Sequence, residues 1–105
     1  MVHKLIQRHV LYGKQEFKIE GELIKIKINS FLGKTKELDV VLAVMNPEPV
    51  MTKTRLNFYS RVKCRPILSL YLNKPNIEEF NAFVEILKTR TEMEFNVFAG
   101  LKNNL

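Results

Sequence analysis

Residues 76–90 read Asn-Ile-Glu-Glu-Phe-Asn-Ala-Phe-Val-Glu-Ile-Leu-Lys-Thr-Arg, the strongest helix signal in the chain. Asn76 is a good N-cap, because its side-chain oxygen can accept a hydrogen bond from a first-turn amide. Glu79 falls three residues on, where a capping-box acid belongs, and Pro75 keeps the incoming chain extended. Lys88 and Arg90 suit the negative end of the helix dipole. Ile77, Phe80, Phe83, Val84 and Leu87 recur at spacings of three and four and form one apolar face. That face needs a surface to cover. The seventy-odd residues before it alternate like strands, so the expected surface is a sheet.

Working back from the helix, Pro66 opens a strand over 67–72 with Leu68, Leu70 and Leu72 on one side and Ile67, Ser69 and Tyr71 on the other. Asn73-Lys74-Pro75 turns that strand into the helix. Residues 16–28 predict a hairpin: Phe17 and Ile19 alternate with Lys18 and Glu20, Gly21-Glu22 marks a tight turn, and Ile24, Ile26 and Ile28 alternate with lysines. Residues 29–36 are a connection. Its Gly33-Lys34 pair lacks the remaining glycines and the Lys-Ser/Thr ending of a phosphate loop. Residues 38–45 are dense in apolar side chains and predict a central strand covered on both faces over part of its length, ended by Pro47 and Pro49. Residues 1–12 fit either an amphipathic turn of helix or an irregular strand. Beyond Arg90 the pattern fits a short strand or a loosened helix that ends at Gly100.

The expected fold is therefore mainly β with one C-terminal α-helix, an α+β protein in a single domain over 1–105. Its sheet is expected to be a bent antiparallel sheet or partly open barrel capped by the helix. Connections this short leave no room for the crossover helices of a parallel sheet.

The chain has 105 residues and a formal net charge of +6. Residues 1–75 hold fourteen Lys and Arg against six acids, whereas residues 76–105 hold three against five. The positive charge thus belongs to the strand region, where it suits nucleic acid, acidic lipid or an acidic protein. Lys53, Arg55, Asn57, Tyr59, Arg61, Lys63 and Arg65 occupy alternate positions and form the candidate binding face, a basic stripe with one tyrosine. A turn near Ser60 to Lys63 would break it in two. The opposite alternation, Leu56, Phe58, Val62 and Cys64, points inward, so the single cysteine is expected to be buried. No catalytic residues, metal ligands or cofactor are assigned: His3 and His9 lack ligand-type neighbours, and a site built from Tyr59, Asp39 and a histidine is the weakest reading. No apolar run approaches membrane-spanning length, and the cysteine usage points to a cytoplasmic protein.

The run of hairpins, the strand 67–72, the short polar turn and the closing helix, with the segment Leu70-Tyr71-Leu72-Asn73-Lys74-Pro75-Asn76-Ile77-Glu78-Glu79-Phe80, resemble the small bacterial pleckstrin-homology-like domains. The resemblance spans roughly residues 10–90 and implies a non-catalytic binding or scaffolding module. Phe80 or Phe83 would fill the core place of the family's helix tryptophan. Members that bind phosphoinositides use a basic first hairpin loop, here 13–16 or the acidic 20–22, which makes lipid a poor partner. The leading expectation is protein–protein interaction or self-association. The alternatives are nucleic-acid binding through the stripe and a small enzyme of unassigned reaction.

Overall fold

The computed structural model describes residues 3–9, 13–30 and 33–103. Among these residues seven strands precede one helix: β1 His3–His9, β2 Gly13–Glu20, β3 Leu23–Asn29, β4 Thr35–Val41, β5 Val50–Met51, β6 Arg55–Tyr59, β7 Pro66–Tyr71 and α1 Ile77–Asn103. They form two antiparallel sheets, one of four strands ordered β1-β2-β3-β4 and one of three ordered β5-β6-β7. The sheets are open and stay separate, so the barrel expectation is overturned: no ladder joins β4 to β5 or β1 to β7.

The hairpin at the centre of the first sheet forms as its alternation requires. Glu20 pairs with Leu23 across a two-residue turn, and Gly21 takes φ +60° there, a conformation that costs glycine nothing. Phe17, Ile19, Ile24 and Ile26 point into the core, while Lys18, Lys25 and Lys27 face outward. Residues 3–9 resolve as a strand, with Leu5 opposite Phe17. Loop 13–16, considered for lipid contact, is instead the start of β2.

The run 38–45 is not a doubly covered strand. β4 is an edge strand paired only to β3, and Leu38 and Val41 are 42% and 44% exposed. The apolar density serves two different ends: Val40 packs against the core from the strand, then a 3-10 turn at Leu42–Val44 carries Leu42 and Met45 under the helix.

In the second sheet Leu56, Phe58, Leu68 and Leu70 face the core. The helix closes it with Phe80, Phe83, Val84 and Leu87, and burying each phenylalanine contributes about 1.5–3 kcal/mol. Asn76 caps α1, its Oδ1 accepting from the Glu79 amide at 2.9 Å. Ile77 departs from the expected face and is 57% exposed, because the first turn precedes the point where α1 meets the sheets. The helix also runs through Gly100 rather than ending there. One glycine costs a helix about 1 kcal/mol, which its neighbours can absorb. At its far side the Arg90 guanidinium donates to the Gly21 carbonyl and to Glu94, tying α1 to the β2–β3 turn.

A cationic cleft where both sheets meet the helix

The two sheets are joined at one end by a side chain. Gln7, on β1, is fully buried. Its Nε2 donates to the carbonyl oxygens of Tyr71 at 2.7 Å and Lys74 at 3.0 Å, and its Oε1 accepts from the Tyr71 amide at 2.8 Å. The amide group thus stands in for a backbone partner and satisfies both polar groups of Tyr71. On the same side, the Leu72 amide donates to the Thr54 carbonyl at 3.0 Å. The Thr52 and Arg55 backbones close a tight turn that presents Lys53 and Thr54 at its tip. Asn73 takes φ +59° and reverses the chain before the cis Lys74–Pro75 bond, a conformation that asparagine tolerates better than most residues.

These ties gather residues far apart in sequence around one cleft of about 670 Å³, lined by Arg8, His9, Lys53, Arg55, Tyr71 and Lys74 among others. Arg55 is fixed in place: its Nη1 donates to Ser69 Oγ and its Nη2 to the Tyr71 hydroxyl, both at 3.2 Å. Its guanidinium also lies 4.5 Å from the Tyr71 ring centroid. His9 stacks on Tyr71 with ring centroids 5.2 Å apart. Arg8, Lys53 and Lys74 are exposed, and none of them forms an ion pair among the described residues. Among the described residues no carboxylate lines the cleft. Four permanent cations, with Glu79 standing only in the neighbouring hollow beside Arg8 and Lys74, make a local positive field that an anion would relieve.

The outer face of the first sheet is the opposite case. Its hollow is lined by Glu16, Lys18, Lys25, Lys27, Glu37 and Asp39; one cross-strand row alternates in sign, Glu16–Lys27–Glu37, and the next sets Lys4, Lys18 and Lys25 side by side before Asp39. Lys4 meets Glu16 at 2.6 Å, and that hydrogen bond holds the Glu16 carboxyl below its ordinary value against the effect of burial. Lys18 and Lys25 both approach Glu20. This face is a neutralised, solvated ladder. Asp39 opens onto it, and neither Tyr59 nor a histidine shares that lining, so the enzyme reading gains no constellation.

The predicted stripe therefore divides. Lys53 and Arg55 belong to the cleft. Asn57 and Tyr59 continue from Arg55 along the outer face of β6, half-buried. The strand ends at Tyr59, and the residues beyond it no longer alternate. Arg61 turns to the helix, its guanidinium 3.6 Å over the Phe95 ring. Partial burial there pushes its pKa down from the ordinary arginine value, with Glu92 acting in the other direction. Lys63 and Arg65 are exposed in the loop. Cys64, expected to be buried, is exposed in the same loop, because an alternation carried past the end of a strand loses its meaning.

Arg8, His9, Tyr71 and Lys74 were not visible as site residues in the sequence. The one available signal was that Arg8 and Lys74 have no acidic residue within three positions. The chain matches no protein-family model, no curated protein and no solved structure. Among the described residues, no helix is long and apolar enough to cross a membrane.

Proposed function

We propose that the protein is a non-catalytic nucleic-acid-binding domain on a pleckstrin-homology-like scaffold, with phosphate held in the cationic cleft. The scaffold reading is supported by the run of antiparallel hairpins closed by a single C-terminal helix. The binding reading rests on one observation: Arg8, Lys53, Arg55 and Lys74 line one cleft with no carboxylate among its described residues. Phosphate contacts from such groups supply sequence-independent affinity and make it salt-dependent. The test is a salt titration of binding to labelled single-stranded oligonucleotides, with anionic vesicles alongside. Lys53→Ala/Lys74→Ala should weaken oligonucleotide binding and flatten the salt dependence by about one power of salt concentration per lost contact. Arg61→Ala/Lys63→Ala should do neither. Binding to vesicles alone, or affinity unchanged in the cleft variant, rejects the proposal.

A second reading is a protein partner, or a second copy of the chain, adding a strand to β4. It is favoured by the open edge of that strand and the exposure of Leu38 and Val41. Lys36, Glu37 and Asp39 along the same strand work against indiscriminate pairing. A mass above that of the monomer by light scattering, abolished by Leu38→Lys, would support this reading over the first.

A further inference from the structure

We infer that the cleft takes the terminal phosphate monoester of a nucleic-acid strand, with the adjoining nucleotides laid along the outer face of β6. The inference rests on the nucleic-acid reading above and specifies which part of the strand is held. A phosphodiester inside a strand carries one negative charge, whereas a terminal monoester carries between one and a half and two at neutral pH. Four cations around one cleft match the denser anion.

Across the outer face of the first sheet a backbone would run into carboxylates. Lys14, opposite Arg8, forms no ion pair among the described residues, but the lysines beyond it on that face are set against acids. Lys4, Lys18 and Lys25 are engaged by Glu16 and Glu20, and Lys27 sits in register between Glu16 and Glu37. Arg61 is on Phe95, beyond the far end of β6. The hollow next to the cleft shares Arg8 and Lys74 with it, but its other walls are Ile6, Pro75, Lys4 and the Glu79 carboxylate. A following phosphate on that side would meet Glu79.

On the β6 side the surface changes character in one step. After Arg55 the outward positions are Asn57 and Tyr59, and Ser69 lies opposite Asn57 on β7. These groups are neutral, half-buried and able to contact base edges or stack against a ring. The arrangement is a concentrated positive end followed by a neutral platform, which suits a charged terminus followed by bases. Arg55 joins the two parts and is already oriented by Ser69 and Tyr71, so little side-chain freedom is lost on binding.

The test compares oligonucleotides of about eight nucleotides bearing a 5′-phosphate, a 3′-phosphate or hydroxyls at both ends. Binding is read by fluorescence anisotropy at about 0.15 M salt. A phosphate at one terminus should tighten binding by about tenfold over the hydroxyl-ended strand, the effect of the one and a half to two charges it adds beside several cations. Arg8→Ala/Lys74→Ala should erase that difference. Asn57→Ala/Tyr59→Ala should weaken all three strands while keeping it. Circular dichroism of each variant checks that the fold persists, and Arg8 and Lys74 are both exposed, so it should. Equal affinity for all three strands overturns the terminal-phosphate inference and leaves the nucleic-acid reading standing. No binding by any strand overturns both. A preference that survives loss of Arg8 and Lys74 removes the cleft as the place where it arises.

Discussion

Replacing Gln7 by methionine keeps the volume of the side chain and removes all of its hydrogen bonds. Three backbone groups then lose their partner: the Tyr71 amide, the Tyr71 carbonyl and the Lys74 carbonyl. The two on Tyr71 are buried, whereas the one on Lys74 is only part-buried and can turn to water. A buried polar group left unpaired costs about 1–3 kcal/mol, so the two on Tyr71 together predict a loss of about 2–6 kcal/mol. That is a large share of the roughly 5–15 kcal/mol that holds a domain folded. With a urea dependence of about 1.5 kcal/mol per molar, the midpoint of unfolding should fall by between about 1.3 and 4 M at unchanged slope. Gln7→Glu sharpens the test, because a carboxylate in that place faces two carbonyl oxygens. Its folded pKa is then raised above the unfolded one, so the variant is weakest at neutral pH and regains stability as the pH falls through the raised value. If Gln7→Met shifts the midpoint by less than about 0.3 M, the two sheets are held at this end by apolar packing and the role given to the amide is wrong.

Phe83→Asp places a carboxylate at a site only 3% exposed, and it should abolish the cooperative thermal transition; an unchanged melting temperature would mean that α1 does not pack on the sheets through this face. The Lys4–Glu16 pair gives a pH signature. Because the folded Glu16 carboxyl is held below its ordinary value by Lys4, the pair contributes stability above the unfolded carboxyl's range and loses it as the pH falls through the folded value. Lys4→Met should therefore lower the urea midpoint at pH near 7 and leave it unaltered near pH 2, and an equal effect at both would assign the loss to packing. The exposed thiol of Cys64 should react with a maleimide in the native protein as fast as in urea, whereas protection that disappears on unfolding would return it to the core.

The helix and the central hairpin were legible in the sequence because their signals are local. The Asn76 cap lies within a few residues of the group it serves, and so does the Gly21 turn, where Glu20 pairs with Leu23. The edge position of β4 was not legible. The run 38–45 has the composition of a buried strand, but what covers it is decided by where β5 goes, and the short 3-10 turn at Leu42 diverts the chain before any second neighbour arrives. The cysteine failed for a related reason: an alternating pattern predicts sides only while the backbone stays extended, and it stops being extended after Tyr59. Half of the cleft, Lys53 and Arg55, stood out as basic residues on a strand. The other half did not, because Arg8 and Lys74 are brought beside them by Gln7, a residue whose sequence context says nothing about its partner 64 positions away.

The length of α1 has a practical bearing on how the molecule can be handled. The helix begins three residues after Lys74, at the rim of the cleft, and runs for 27 residues, or about 40 Å. Along the way it is fastened to the β2–β3 turn by Arg90. It is in effect a spacer built into the domain, with the cationic end at its base and its last turns pointing away. A biotin, a dye or a resin attached at those last turns would sit well clear of the cleft, beyond the reach of its field at ordinary salt. A surface prepared that way presents the cleft outward, and one prepared through the amines of Lys53 or Lys74 covers it, so the two immobilisations of one protein should give opposite answers to the same ligand.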